Sequence, residues 1–373
     1  MMPKWNLEVS PDHDDEDETA VAAALGLALE RFGMLPPDFR RRVDAAARVY
    51  AAHEKRDKPF LIEFSKRISL ALNQLNGKDK QPCEYLTLLG SSGSGKSRMV
   101  RNALARSGLD DPIELTGRTL RPVIRIQGPR PFTTGQLAVS ILKEVGMPTD
   151  THLAANHAWQ MVRNHLPLSK TALIIIDEAQ HALWHKDPAF TIEVRDAIKI
   201  LAEDKDWPVG FIFVGIPVFE RFITTDNQVI GRNLTIRMPS LNVNSKGDEK
   251  YLHALLAKMM SAAELSMDDG GDEEFYRRLM CAGGQQLGRC QKLIRLAIEQ
   301  ALTGLRSTVV IEDFAEALRQ RTGCDDDHNW FLASEYQVIP HWLKDAELES
   351  YVAADDILVI DDKRPKKKKV RAA

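Results

Sequence analysis

Residues 84–107 read EYLTLLGSSGSGKSRMVRNALARS. The apolar run Tyr85–Leu89 predicts a buried strand, and the pattern from Ser97 to Ser107 predicts a helix. Between them, Gly90-Ser91-Ser92-Gly93-Ser94-Gly95-Lys96-Ser97 fits GxxxxGK[ST] at every fixed position. Glycines let backbone N–H groups turn toward a phosphate with no Cβ in the way. The helix start behind them adds the positive end of its dipole. Lys96 is placed to reach the β- and γ-phosphates, and the Ser97 hydroxyl to bind Mg2+. Gly90, Ser91, Gly93, Ser94, Gly95, Lys96 and Ser97 are therefore expected to line a pocket for ATP and Mg2+.

Outward from this stretch, short apolar runs alternate with helical patterns. Strands are expected at Tyr85–Leu89, Pro122–Gln127, Ala172–Ile176, Gly210–Val214 and Leu234–Met238. Helices are expected near Ser97–Ser107, Thr134–Val145, Ala154–Leu166, Ile192–Asp204 and Pro217–Ile223. This alternation predicts an α/β fold, a parallel sheet with helices on both faces. ALIIID is almost wholly apolar, as a central strand buried on both sides requires.

The other half of a nucleotide site needs an acidic residue at the end of a buried strand, and LIIIDEAQH supplies it. Asp177 fits the carboxylate on the Mg2+ side, acting through water. Glu178 fits the group that orients or deprotonates the attacking water. Charge developing on the γ-phosphate needs cations. Arg232, in DNQVIGRNLTIRM, stands just before a predicted strand and suits an arginine finger supplied to a neighbouring subunit. Arg289, in QQLGRCQKLIRLA, starts a helix and is placed to reach back over the nucleotide.

The rest of the chain divides around this core. Residues 1–19 are acidic and expected to be disordered, and residues 20–80 read as helices, at Ala20–Gly33, from Phe39 to Lys55 and from Pro59 to Leu75. The ATPase core is expected at 81–241. After Leu241 the strand signal stops, and 242–324 read as a helical lid. From 325 to 373 a mixed tail ends in DDILVIDD and then KRPKKKKVRAA, with seven Lys/Arg in eleven residues. Such a run suits DNA phosphates, an acidic partner surface or nuclear import. DDILVIDD has the composition of a docking peptide for a partner.

The formal net charge of −3 gives no global sign of nucleic-acid binding, so phosphate contact must come from a local basic face. The four cysteines, Cys83, Cys281, Cys290 and Cys324, form no CxxC pair, which argues against a zinc site or disulfide framework. No apolar run approaches the about 20 residues that cross a bilayer. A soluble, cytoplasmic protein without membrane contact is expected.

Together the P-loop, IIIDEAQH, the VGIP after the fourth strand, DNQVIGR and the helical lid resemble the AAA+ ATPases of DNA transposition. Within these the match is best to the TniB/TnsC-type target-selection regulators. The segment PVIRIQGPRPFTTGQLAVSILKEVGMP resembles that family's second strand, loop and helix, and the resemblance covers about residues 40 to 320. It implies a five-stranded parallel sheet with a C-terminal helical lid. It implies Lys96 and Ser97 for ATP-Mg2+, Asp177 and Glu178 for hydrolysis, Arg232 as the finger in trans and Arg289 as the lid-side sensor. It also implies rings or helical filaments on double-stranded DNA that link a target selector to a transposase.

One position departs from the pattern. Many AAA+ proteins end the fourth strand on a polar side chain that helps hold the attacking water, whereas FIFVGIP places Gly215 there. Slow, assembly-coupled hydrolysis is the expectation. For DNA, the loop GPRPFTTGQL enters a helix with Thr133 and Thr134 at its N-cap and Arg130 before it, a set suited to sequence-independent phosphate contact. Two other readings stand beside this one. They are an AAA+ replication initiator or helicase loader, and an NTPase switch that acts on a protein partner without nucleic acid.

Overall fold

The computed structural model describes residues 35, 38–76, 80–149, 153–183, 188–267 and 271–339. The acidic segment 1–19, the helix expected at Ala20–Gly33, DDILVIDD and the basic end lie outside them. The chain forms two compact units. Among the described residues, the larger comprises those of 52–242 with 283–289, and the smaller takes 35, 38–51, 243–282 and 290–339.

In the larger unit, five strands form one parallel sheet: β1 (Tyr85–Leu89), β4 (Val123–Gln127), β5 (Leu173–Asp177), β6 (Gly210–Gly215) and β7 (Asn233–Arg237), in the order β4-β5-β6-β1-β7. The strands lie within a residue or two of the stretches predicted for them. Register pairs Leu89 with both Gly215 and Arg237, and Gln127 with Asp177, so all five strands finish at one edge, where ligands of open α/β sheets bind.

Every residue of β1, β5 and β6 is buried. Alternate side chains feed two cores, as the two-residue period of a strand dictates. Tyr85, Ile174, Ile176, Phe211 and Phe213 pack on one face with Leu137 and Ile141 of α4 (Thr134–Glu144) and Val162 of α5 (Ala155–Leu168). Leu86, Leu88, Ile175 and Ile212 pack on the other. There they meet Phe60 and Phe64 of α2 (Glu54–Asn76) and Met99 and Val100 of α3 (Lys96–Ser107).

The helix expected from Phe39 to Lys55 is shorter, α1 (Phe39–Arg48), and α2 begins before Pro59 rather than at it. Val49 at the end of α1 turns to ψ 120, out of helical geometry. Asp57 accepts from the His53 N–H at 2.9 Å and so satisfies a donor at the start of α2. Residues 20–80 are consequently not one helical region, because α1 belongs to the smaller unit and α2 to the larger. A hairpin of β2 (Ile113–Leu115) and β3 (Arg118–Leu120) was not predicted. After β5 come α6 (Pro188–Ala202) and, where one helix was expected after β6, a short 3-10 turn at Pro217–Phe219 and α7 (Glu220–Thr224). A further helix, α8 (Asn227–Arg232), precedes β7.

The smaller unit holds α1, α9 (Lys246–Ala262), α10 (Glu273–Ala282), most of α11 (Leu287–Thr303) and α12 (Ile311–Thr322). It is not purely helical as expected: β8 (Ser266–Met267) pairs in parallel with β9 (Thr308–Val309). Arg42 donates to the Ala263 and Glu264 carbonyls at 2.6 and 2.7 Å, tying α1 to the end of α9. The expected tail also begins later than residue 325. Trp330 is buried, the Phe331 ring lies tilted beside Phe275 and Phe314, and Arg278 donates to the Trp330 and Ala333 carbonyls at 2.9 and 2.8 Å.

Candidate nucleotide-binding and hydrolysis site

The loop between β1 and α3 is shaped by glycine. Gly93 and Gly95 have φ of 78 and 95, left-handed values that cost an L side chain about 1–2 kcal/mol. A Cβ on Gly90 would lie 2.9 Å from Ser94 Oγ and 3.0 Å from Met238 Cβ. Gly95 caps α3 with no side-chain hydrogen bond, which leaves first-turn N–H groups for a bound anion. Arg56 on α2, 3% exposed, braces the loop by donating to the Ser94 carbonyl at 2.7 Å and to the Pro239 carbonyl at 3.2 Å.

Lys96 is buried, and its Nζ donates to the Gly90 and Ser91 carbonyls at 2.6 and 3.0 Å. An ammonium drawn from water into a cradle of carbonyls and N–H dipoles suits a polyanionic ligand. Ser97 Oγ donates to Asp177 Oδ1 at 3.1 Å, so the hydroxyl and carboxylate converge from α3 and β5. These hard oxygen donors fit Mg2+. Among the described residues no group of three His, Cys, Asp or Glu side chains is arranged to hold a metal by itself.

Asp177 is 5% exposed and held from three sides. Oδ1 also accepts the Glu178 N–H at 3.0 Å, and Oδ2 accepts from Arg125 at 2.9 Å. Arg125 sits opposite Ile175 in the β4–β5 register and so shares a sheet face with Asp177, two residues further on. Neither Arg125 nor Arg56 was singled out in the sequence, because only tertiary register brings them to the site.

Glu178 leaves the strand with φ 53, and its Oε2 accepts from Gln180 Nε2. The next residue, His181, is buried. Its Nδ1 faces the Gly128 carbonyl at 2.8 Å, and Arg130 Nε faces its Nε2 at 2.9 Å. A carbonyl only accepts, so Nδ1 carries the proton and Nε2 accepts from the guanidinium. Thr133 is the N-cap of α4, its hydroxyl accepting from Gln136 N at 3.3 Å, and Thr134 opens the helix. Arg130, expected to contact DNA phosphate, is also joined to the DEAQH turn, and its residue remains exposed.

Arg289 comes to the phosphate loop. The start of α11 docks on the loop backbone to backbone: Gly288 N donates to the Gly93 carbonyl at 2.8 Å. A Cβ built on Gly93 would lie 2.8 Å from Arg289 Cγ. The neighbouring segment is anchored by Leu241 N on the Gln285 carbonyl at 2.8 Å and by Gln286 on Ser240 Oγ at 3.0 Å.

Arg232 is not brought to this pocket. It ends α8 at the N-terminal end of β7, the end of the sheet opposite Lys96 and Asp177, and pairs with Glu203. Five strand residues separate the two ends, about 16 Å. Asp226 anchors the start of α8 by accepting from Gln228 N at 2.8 Å and Val229 N at 3.3 Å. Partial burial pushes the Asp226 carboxyl up, but the Lys199 hydrogen bond and these N–H groups outweigh it and hold the carboxyl below its ordinary range.

Comparison with known proteins places this geometry. The ORC1 protein of Aeropyrum pernix in complex with DNA is 17% identical, with TM-score 0.52 over 75% of this chain and 67% of that one. Drosophila ORC bound to DNA is 13% identical, with TM-score 0.50 over 88% and 72%. Cdc6p of Pyrobaculum aerophilum is 15% identical, with TM-score 0.47 over 68% and 65%, so the chain spans about two thirds of that structure's length. At these identities the likeness is one of fold, and the fold is that of AAA+ ATPases. No curated protein matches the chain. The family model for the bacterial TniB protein matches residues 57–242, from α2 through the P-loop, the DEAQH turn and β7. Through residues 57–242, the chain belongs to the TniB family.

Proposed function

We propose that this chain is an ATP-dependent regulator of DNA transposition. In this reading it assembles on double-stranded DNA without sequence preference, links a target selector to the transposase, and disassembles with ATP hydrolysis. The observation that carries the proposal is the TniB match over the segment that contains the convergent Lys96, Ser97, Asp177 and Glu178. The P-loop N–H groups and Lys96 bind the phosphates, and Arg289 adds its charge at Gly93. Ser97 and Asp177 hold the cation, which when bound neutralises phosphate oxygens as the bond to the leaving group breaks. Glu178 orients the attacking water and takes its proton. Arg232 reaches the pocket of the next subunit in a ring or filament.

Duplex contact is assigned to the α4 entry, with the α4 N-terminus, Thr134 and the exposed Arg130 facing phosphate. The DNA in the two ORC structures is a property of those proteins, and contact here rests on the family and this loop. Electron microscopy with a nonhydrolysable ATP analogue, with and without duplex DNA, is the direct test. Rings or filaments that need both support the proposal. DNA-independent rings, or monomers throughout, refute it and favour a switch that acts on protein. Arg130→Ala should weaken binding to all duplex sequences alike and lower the salt slope by about one counterion. Unchanged binding removes this loop from the interface.

A further inference from the structure

The end of β6 carries no side chain at Gly215, yet the space that a side chain would enter is filled. A Cβ built on Gly215 lies 3.0 Å from Gln180 Oε1 and 3.4 Å from Phe219 Cβ. Gln180 is only 3% exposed, and both ends of its amide are used. Oε1 accepts the Ile216 N–H at 3.3 Å, the residue next to Gly215, while Nε2 donates to Glu178 Oε2. The opposite amide orientation would set NH2 against an N–H and oxygen against a carboxylate, so the pairing has one sense. The turn that presents both residues is itself under constraint, with Glu178 at φ 53, a conformation that costs a side chain about 1–2 kcal/mol.

We propose that Gln180 is the positioning residue of hydrolysis. Reaching across from the DEAQH turn, it supplies the amide that the end of β6 lacks. Its Nε2 fixes Glu178 through Oε2 and leaves Oε1 to take a proton from water. As the water oxygen bonds to the γ-phosphorus, the bond from that phosphorus to the β–γ bridging oxygen breaks, and its electron pair leaves with ADP. Gly215 suits this arrangement, since a Cβ there would press on the Gln180 amide at 3.0 Å. The inference rests on the reading that the chain hydrolyses ATP.

The test is steady-state ATP turnover by the full chain with Mg2+ and duplex DNA, alongside titration with a fluorescent nonhydrolysable analogue. Gln180→Met keeps the volume and removes both hydrogen bonds. It should lower kcat by about 100-fold, the scale of a misplaced catalytic group, while KM and analogue affinity stay within about threefold, far less than the catalytic loss. Gly215→Asn alone should also lower kcat, by collision with Gln180. Combined with Gln180→Ala it should raise kcat about tenfold or more over Gln180→Ala alone, because its amide enters the vacated space. Wild-type turnover with Gln180→Met within about threefold overturns this proposal and leaves hydrolysis standing. A loss in Gln180→Ala that Gly215→Asn does not repair overturns it as well, since packing then explains the effect. No turnover in the wild type overturns the hydrolytic reading itself, and this proposal with it.

Discussion

Replacing Gly288 by alanine tests the docking of the Arg289 segment on the phosphate loop. The new Cβ would lie 2.6 Å from the Gly93 carbonyl oxygen, 3.3 Å from its carbon and 3.5 Å from Gly95 N. All three atoms are backbone, so no side chain can swing aside. Restoring ordinary contact requires a separation of several tenths of an ångström, which strains the 2.8 Å bond from Gly288 N to the same oxygen. Overpacking of this kind costs about 1–3 kcal/mol. At 1.4 kcal/mol per factor of ten, the ratio of docked to undocked arrangement falls about 5- to 150-fold. Titration with a fluorescent ATP analogue and Mg2+ should show affinity reduced by up to that factor, and Arg289→Ala should weaken binding in the same direction. Gly231→Ala serves as the control, because no atom beyond its chain neighbours and its own helix backbone lies within 4 Å of the new Cβ. It should leave affinity unchanged and hold or slightly raise thermal stability. Wild-type affinity in a folded Gly288→Ala protein would refute the role given to the docked segment.

Three further outcomes are expected. Glu178→Gln should bind nucleotide within about twofold of wild type while turnover falls at least about 100-fold, measured by phosphate release; equal losses of binding and turnover would remove Glu178 as the base. Lys96→Ala and Arg232→Ala should each be inactive alone, yet an equal mixture on DNA should recover about a quarter of wild-type turnover. In random head-to-tail assembly that fraction of pockets joins an intact site to an intact arginine, and no recovery argues against a shared site. Asp226→Ala should lower stability by about 1–2 kcal/mol at neutral pH through loss of the α8 cap. Because the folded-state pKa of Asp226 is depressed, its contribution is present above about pH 4 and lost as pH falls through the folded value. Denaturant melts of mutant and wild type should therefore converge in acid, and a constant difference across pH would contradict this.

The phosphate loop and the DEAQH turn were legible because their chemistry is contiguous. Each joins an apolar run, long enough to be a buried strand, to polar residues at fixed spacing. The residues that position them were not, because they act across the fold. Arg125 meets Asp177 only through the β4–β5 register, Arg56 meets Ser94 from α2, and Gly288 meets Gly93 across nearly two hundred positions of chain. The hairpin β2–β3 left no periodic signal, having three residues per strand, nearly all exposed. Phe39–Lys55 reads as continuous helix because AAARVYAAHEK is rich in Ala and holds no Gly or Pro, and propensity alone does not report a break set by tertiary packing. Gly215 departs from the pattern in the sequence itself, but nothing within DEAQH marks Gln180 as the residue that meets it.

The three isoleucines of β5 work as a ruler. Leu173 to Ile176 pair residue by residue with both neighbouring strands, and Asp177 follows directly at the shared edge. Strand side chains alternate faces, so removing one isoleucine would slip the register by one and carry Glu178 into the position from which Asp177 meets Ser97. Extra residues in the connection between α4 and α5, or in the β2–β3 hairpin, leave that count untouched. Variation in length should therefore accumulate in those connections across relatives, while the span from Leu173 to Glu178 keeps one length.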